Sequence, residues 1–169
     1  MPELDIDLSC EDGATPALDE GELLATARLV LREEGIDRPC RLSLSVVGDG
    51  RMRELNRSWR GVDRVTDVLS LECERPDDPD LAPGEPCELG DVVLAPSHIA
   101  RQAAHFQTTP ADETRLLLVH GLLHLLGYDH LVDEEAAAME AREDALVSLL
   151  ATDADRAGAR VTRHEGDGA

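Results

Sequence analysis

Leu116-Leu117-Leu118-Val119-His120-Gly121-Leu122-Leu123-His124-Leu125-Leu126-Gly127-Tyr128-Asp129-His130 contains the most apolar run of the chain and three of its six histidines. Thr109 and Pro110 suit the N-cap and first position of a helix, and Asp112 and Glu113 suit its positive first turn. Gly127 is a natural stop, because a left-handed residue there carries no Cβ penalty. His120 and His124 then share one helix face, offset by about 40° and about 6 Å along the axis. The turn after Gly127 reverses the chain and can bring His130 to the same point.

A lone histidine on an apolar helix is usually a hydrogen-bonded core residue. Three at H-x3-H-x5-H, around a glycine that stops the helix, argue for a metal instead. Neutral imidazoles at His120, His124 and His130 form a first shell for one zinc per chain, with a fourth position open, and other divalent ions also accept such ligands. Bound water at such a site ionises near pH of about 7. The spacing is that of the metzincin proteases, H-E-x-x-H-x-x-G-x-x-H, and makes the site zincin-like. Their general base is a glutamate; here that position is Gly121, which has no side chain. A metalloprotease is therefore the secondary reading.

The segment His120 to His130 resembles the signature of the YbeY family of metal-dependent endoribonucleases, which act in rRNA maturation. Further blocks agree in order: Leu55-Asn56-Arg57-Ser58-Trp59-Arg60-Gly61-Val62-Asp63-Arg64-Val65-Thr66-Asp67-Val68-Leu69-Ser70, then Leu89 to Leu94, then Asp133-Glu134-Glu135-Ala136 with Met139-Glu140. Agreement runs over roughly residues 40 to 150. The chain departs at Val65, where the family usually has proline, and at Leu71, where it usually has phenylalanine; both read as packing changes. The resemblance implies cleavage of single-stranded RNA, 16S rRNA 3′-end processing and ribosome quality control. It also implies the ribosome or its small subunit as partner, and singles out Arg60 as the catalytic arginine. A non-catalytic ribosome-assembly factor, in which metal merely clamps the turn at Gly127, is the third reading.

The charge balance is unusual for a protein that acts on RNA. Against 36 acidic residues stand 16 basic ones, all arginine, for a net charge of −20. Such a surface repels polyanions at long range. Arg51, Arg53, Arg57, Arg60 and Arg64, however, fall within one short segment. A solvated helix face is the bland reading of that run. Beside the metal motif it reads as a phosphate-contacting surface, with Arg57, Arg60 and Arg64 the RNA-binding residues, since guanidinium forks match phosphate. Asp129 and Asp91 are the candidates for a general base or for carboxylates that orient a histidine.

The length suits one domain with a real core. Leu4, Ile6 and Leu8 alternate as a strand, and Leu23 to Leu31 recur at helical spacing up to Gly35. Leu42, Leu44 and Val46 form a second strand, Gly50 to Ser58 a helix, Val68 to Leu71 a third strand and Leu89 to Leu94 a fourth. Helices follow from Pro96 to about His105, through the metal motif, and from Asp133 to about Leu150. The expected architecture is an α+β domain over residues 1–150, a four-stranded mixed sheet packed with about five helices. Residues 151–169 read as a disordered tail that includes His164. His98 and His105 read as ordinary helix residues, and the acid- and proline-rich residues 74–88 as an irregular loop that could gate the site. Cys10, Cys40, Cys73 and Cys87 lack C-x-x-C spacing and read as reduced thiols of a cytoplasmic protein, with a Cys73–Cys87 bridge the alternative. No run approaches the ~20 apolar residues of a membrane span.

Overall fold

The computed structural model describes residues 3–129 and 131–153, so His130 and residues 154–169, with the expected tail, lie outside the described part. Among the described residues, four strands and five helices follow in the order β1 (Leu4–Cys10), α1 (Glu20–Glu33), β2 (Cys40–Val46), α2 (Asp49–Arg60), β3 (Val68–Glu72), β4 (Cys87–Leu94), α3 (Pro96–His105), α4 (Pro110–Leu125) and α5 (Asp133–Asp153). The sheet order is β1-β2-β4-β3. β1 and β4 run parallel to β2, whereas β3 pairs antiparallel with β4 and forms one edge. This is the α+β class with a mixed sheet. The last helix continues to Asp153, past the expected stop at Leu150.

Alternation along the strands divides the core in two. Leu42, Leu44, Val68, Val92 and Leu94 point to one face and join the main cluster with residues of α1, α3, α4 and α5. Leu69 and Val93 point the other way and are covered by Met52 of α2, with Leu55, Val65 and Leu71 packed around them. The two departures from the family pattern, Val65 and Leu71, therefore sit together in this second cluster, as packing positions should. α4 and α2 consequently lie on opposite faces of the sheet.

α4 is the hub. Thr109 caps its first turn by accepting from Asp112 N at 3.1 Å. From Glu113 to Leu125 every residue is buried except His120, which is half-buried. A helix that is apolar on all sides belongs in an interior, and each leucine so buried stabilises by about 1.5–3 kcal/mol. Gly127 ends the helix at φ +107°, with Gly127 N donating to His124 O and Tyr128 N to Leu123 O, both 3.0 Å. That pair of bonds is a Schellman motif, the stop expected from the glycine.

Residues 73–86, between β3 and β4, form turns without helix or strand. Arg38 donates through Nη1 to Ala82 O at 3.0 Å and Glu85 O at 2.8 Å, fixing the loop to the segment before β2. Cys87 lies opposite Cys40 in the β2–β4 register, both buried, while Cys10 and Cys73 are exposed. All four are free thiols, so the Cys73–Cys87 bridge is not formed. Burial pushes the Cys87 thiol up to about 12.

Candidate metal centre and arginine surface

The helical spacing sets His120 and His124 one turn apart with ring centroids 4.7 Å from each other and planes at 82°. His124 is buried and His120 more open, with 16 % of its side chain exposed. His120 Nδ1 lies 3.2 Å from Oε2 of Glu143, a carboxylate of α5 whose side chain is only 5 % exposed. A carboxylate partner favours the proton on Nδ1, which turns the Nε2 lone pair of His120 outward as a donor. Nε2 of both histidines is a buried atom. Two imidazoles on one face, one of them fixed by a carboxylate, fit the donor set that zinc takes. Among the described residues, which do not include His130, no group of three or more metal-ligating side chains is present.

The turn that leads to His130 is held from three elements. Tyr128 Oη donates to Glu34 Oε1 at 2.6 Å, and Arg142 of α5 donates through Nε to Glu34 Oε2 at 2.8 Å. Glu34, at the end of α1, thereby ties the turn to α5. Burial, and then the Glu34 carboxylate, push the Tyr128 phenol above its ordinary value. Arg75 lies over Gly127, where an added Cβ would come within 3.0 Å of its Nη1.

Gly121 has a physical reason to be glycine. A Cβ there would sit 3.0 Å from Ser70 Oγ and 3.2 Å from Val92 Cγ1, and Ser70 Oγ donates to Gly121 O at 3.2 Å. This is the point where α4 rests on β3 and β4. A side chain at position 121 would enter the sheet, not the space before the imidazoles. A glutamate here would be crowded against Ser70 and Val92.

Asp129 is half-buried in the turn next to His130. Asp91 is different: its neighbour Val92 faces α4, so Asp91 points to the opposite face, where it lines a groove with Asp5, Asp7, Arg41 and Ser43. The expectation that Asp91 serves the histidines is corrected by this alternation. The carboxylate on His120 is Glu143, which the sequence reading missed. Its signal was weak but present: Glu143 follows Met139 by four and precedes Leu146 by three, a charge in the buried stripe of an acidic helix.

The arginines divide by their partners. Arg53 holds Asp63 with two bonds, at 2.9 and 3.3 Å, and keeps its carboxyl below the usual range. Arg51 pairs with Glu54 at 3.5 Å. Arg57 and Arg60 occupy the exposed last turn of α2, and no hydrogen bond or ion pair among the described residues involves the Arg60 guanidinium. Gly61, at φ +72°, ends the helix, and Asn56 Nδ2 donates to Arg64 O at 3.0 Å, fixing the loop that carries Arg64. Since α2 and α4 lie on opposite faces, histidines and arginines can meet a common substrate only around the β3 edge. β3 begins just after this loop and touches Gly121 through Ser70.

Fold and site together define an α+β domain with a helix-borne histidine pair on one side of an edge strand and an arginine-bearing helix on the other. The family model described as endoribonuclease YbeY matches residues 12–151. An endoribonuclease YbeY of Paramagnetospirillum magneticum is 40 % identical over 154 residues, covering 89 % of this chain and 93 % of its own. One of Moorella thermoacetica is 45 % identical over 134 residues, covering 75 % and 86 %. The chain belongs to the endoribonuclease YbeY family. A protein of Thermotoga maritima solved in solution shares the fold, with a TM-score of 0.58 at 23 % identity, over 96 % of this chain and 98 % of that one.

Proposed function

We propose that the protein is a metal-dependent endoribonuclease that cleaves single-stranded RNA in rRNA maturation, at the 3′ end of 16S rRNA, on the ribosome or its small subunit. The carrying observation is the His120–Glu143 contact beside His124, in a chain whose relatives are named endoribonucleases. His120, His124 and His130 would hold one zinc, or another divalent ion that accepts imidazole. When bound, the ion supplies Lewis acidity and a water that ionises near neutral pH. Glu143 keeps the Nδ1 proton on His120 and so presents the other ring nitrogen. Arg60 meets the phosphate that gains charge during cleavage, in a bidentate way that a lysine does not reproduce. Arg57 and Arg64 hold neighbouring phosphates. Asp129, next to His130 in sequence, is our candidate to take a proton from the attacking oxygen or to orient a histidine.

Gly121 argues against the protease reading, because it supplies no carboxylate and its Cβ position is crowded by Ser70 and Val92. No helix among the described residues is long and apolar enough to cross a membrane, which accords with work on cytoplasmic ribosomes. Incubation with end-labelled single-stranded RNA, with the same RNA as a duplex, and with an unfolded protein tests this reading. Cleavage of the single strand alone is expected. Proteolysis, or no cleavage of any substrate, rejects it.

A further inference from the structure

The buried stripe of α2 runs Met52, Leu55, Asn56, and its next position is Trp59, three residues after Asn56 and four after Leu55. Helical register therefore assigns Trp59 to the core. It is instead 65 % exposed, the only tryptophan of the chain and among its most exposed large apolar side chains. Met52 packs with Leu69 and Val93, but about two turns further on Trp59 is absent from that cluster and meets solvent. Val62, just after the helix, is exposed as well, at 38 %. An indole left in water forgoes the largest burial of any side chain, so a partner that covers it gains much.

The charges around it say which partner. Arg60 follows Trp59 by about 100° round the helix, whereas Arg57, about 160° away, lies toward the opposite face. Both are exposed, whereas Arg53, Arg51 and their acidic partners neutralise one another one to two turns earlier. An exposed aromatic face with the Arg60 guanidinium beside it, a local basic spot on a chain of net charge −20 that otherwise repels polyanions, suits a flexible polyanion with flat rings. Single-stranded nucleic acid is that ligand: bases stack on aromatic side chains while arginines take the phosphates.

We infer that Trp59 is a base-stacking platform that holds one nucleotide of single-stranded RNA, with Arg60 on the adjoining phosphate. This rests on the endoribonuclease reading and adds to it a specificity for unpaired bases located away from the histidines. A duplex, whose bases are already stacked, cannot use the indole. The platform thus supplies a physical reason for single-strand preference.

The single tryptophan makes the test direct, because red-edge emission comes from Trp59 alone. The full-length protein is titrated with a short 2′-O-methyl oligouridylate, checked by electrophoresis to stay intact over the titration, and separately with inorganic polyphosphate of equal charge. Binding is followed in parallel by anisotropy of a labelled oligonucleotide. Stacking predicts strong quenching by the oligonucleotide and little by polyphosphate. It also predicts roughly tenfold or more weaker binding for Trp59→Ala and Trp59→Leu, with most affinity kept in Trp59→Phe. Anisotropy that reports binding while emission stays unchanged, or a Trp59→Leu variant that binds as tightly as the parent, overturns the inference and leaves the endoribonuclease reading standing. Equal quenching by polyphosphate also overturns it. Absence of binding together with absence of RNA cleavage removes both.

Discussion

His120 Nδ1 and Glu143 Oε2 lie 3.2 Å apart, joining the histidine helix to the last helix through a carboxylate buried in the core. The contact fixes which nitrogen of His120 is offered to a ligand. Removing the carboxylate should therefore weaken metal binding by about 10–100-fold. Glu143→Gln keeps the shape and serves as the test. Its zinc dissociation constant should rise while its melting temperature without metal changes little; an unchanged zinc affinity would show that Glu143 plays no part in presenting His120.

Gly121→Glu restores the residue that the metzincin spacing calls for. It should not create a protease. The new carboxylate would enter between Ser70 and Val92, and burying a charge without a partner costs several kcal/mol. Thermal melting should drop by more than about 5 °C, at a few degrees per kcal/mol for a domain of this size. A variant that melts like the parent would mean α4 stands further from the sheet than described.

Arg60→Lys should damage RNA cleavage far more than Arg53→Lys, with metal content unaffected in both. Arg53 is already engaged by Asp63, whereas Arg60 has its fork available for phosphate. Comparable losses in kcat/KM would mean that the arginines act as diffuse charge.

The thiols should fall into two classes. Cys10 and Cys73 are exposed, while Cys40 and Cys87 are buried, with both buried thiols raised by desolvation, Cys87 to about 12. A thiol-specific reagent at pH 8 should count two groups in the native protein and four in denaturant. The raised values favour the neutral thiol in the folded state, so this contribution to stability is complete below the ordinary thiol value and is lost as pH rises toward about 12. Four fast-reacting thiols in the native state would contradict the packing of β2 against β4.

Binding to RNA should respond to salt in a bell shape. Net charge −20 repels the polyanion at long range, and moderate salt screens that repulsion first. At higher salt the loss of counterion release wins, by roughly 0.7 log units per neutralised phosphate for each decade. A strictly monotonic fall in affinity would show the arginine patch to be insulated from the acidic surface.

What the sequence made legible has a common cause. The histidine pair, the cap at Thr109 and the stop at Gly127 are local, set by helical period and turn chemistry. The strand residues were legible by alternation, but the order β1-β2-β4-β3 depends on pairing between distant segments and was not. Glu143 was hidden among the acids of α5, since only packing distinguishes the buried carboxylate from its exposed neighbours Glu140 and Asp144. Asp91 was misplaced because a reading by motif ignored that Val92 takes the inward position. The exposure of Trp59 was not legible either, because helical period puts it in line with the buried Met52 and Asn56 and only the packed structure shows it in solvent.

The central claim is that a metal held through His120 and His124 is required for RNA cleavage. Bound zinc and the rate of cleavage of one end-labelled single-stranded RNA should be measured on the same samples: parent protein, parent protein stripped by chelator and reloaded, and His124→Ala. The account predicts about one metal per chain and cleavage in the parent, loss of both on stripping, recovery of both on reloading, and neither in the variant. Cleavage that persists in the stripped protein, or full metal occupancy in His124→Ala, would contradict it.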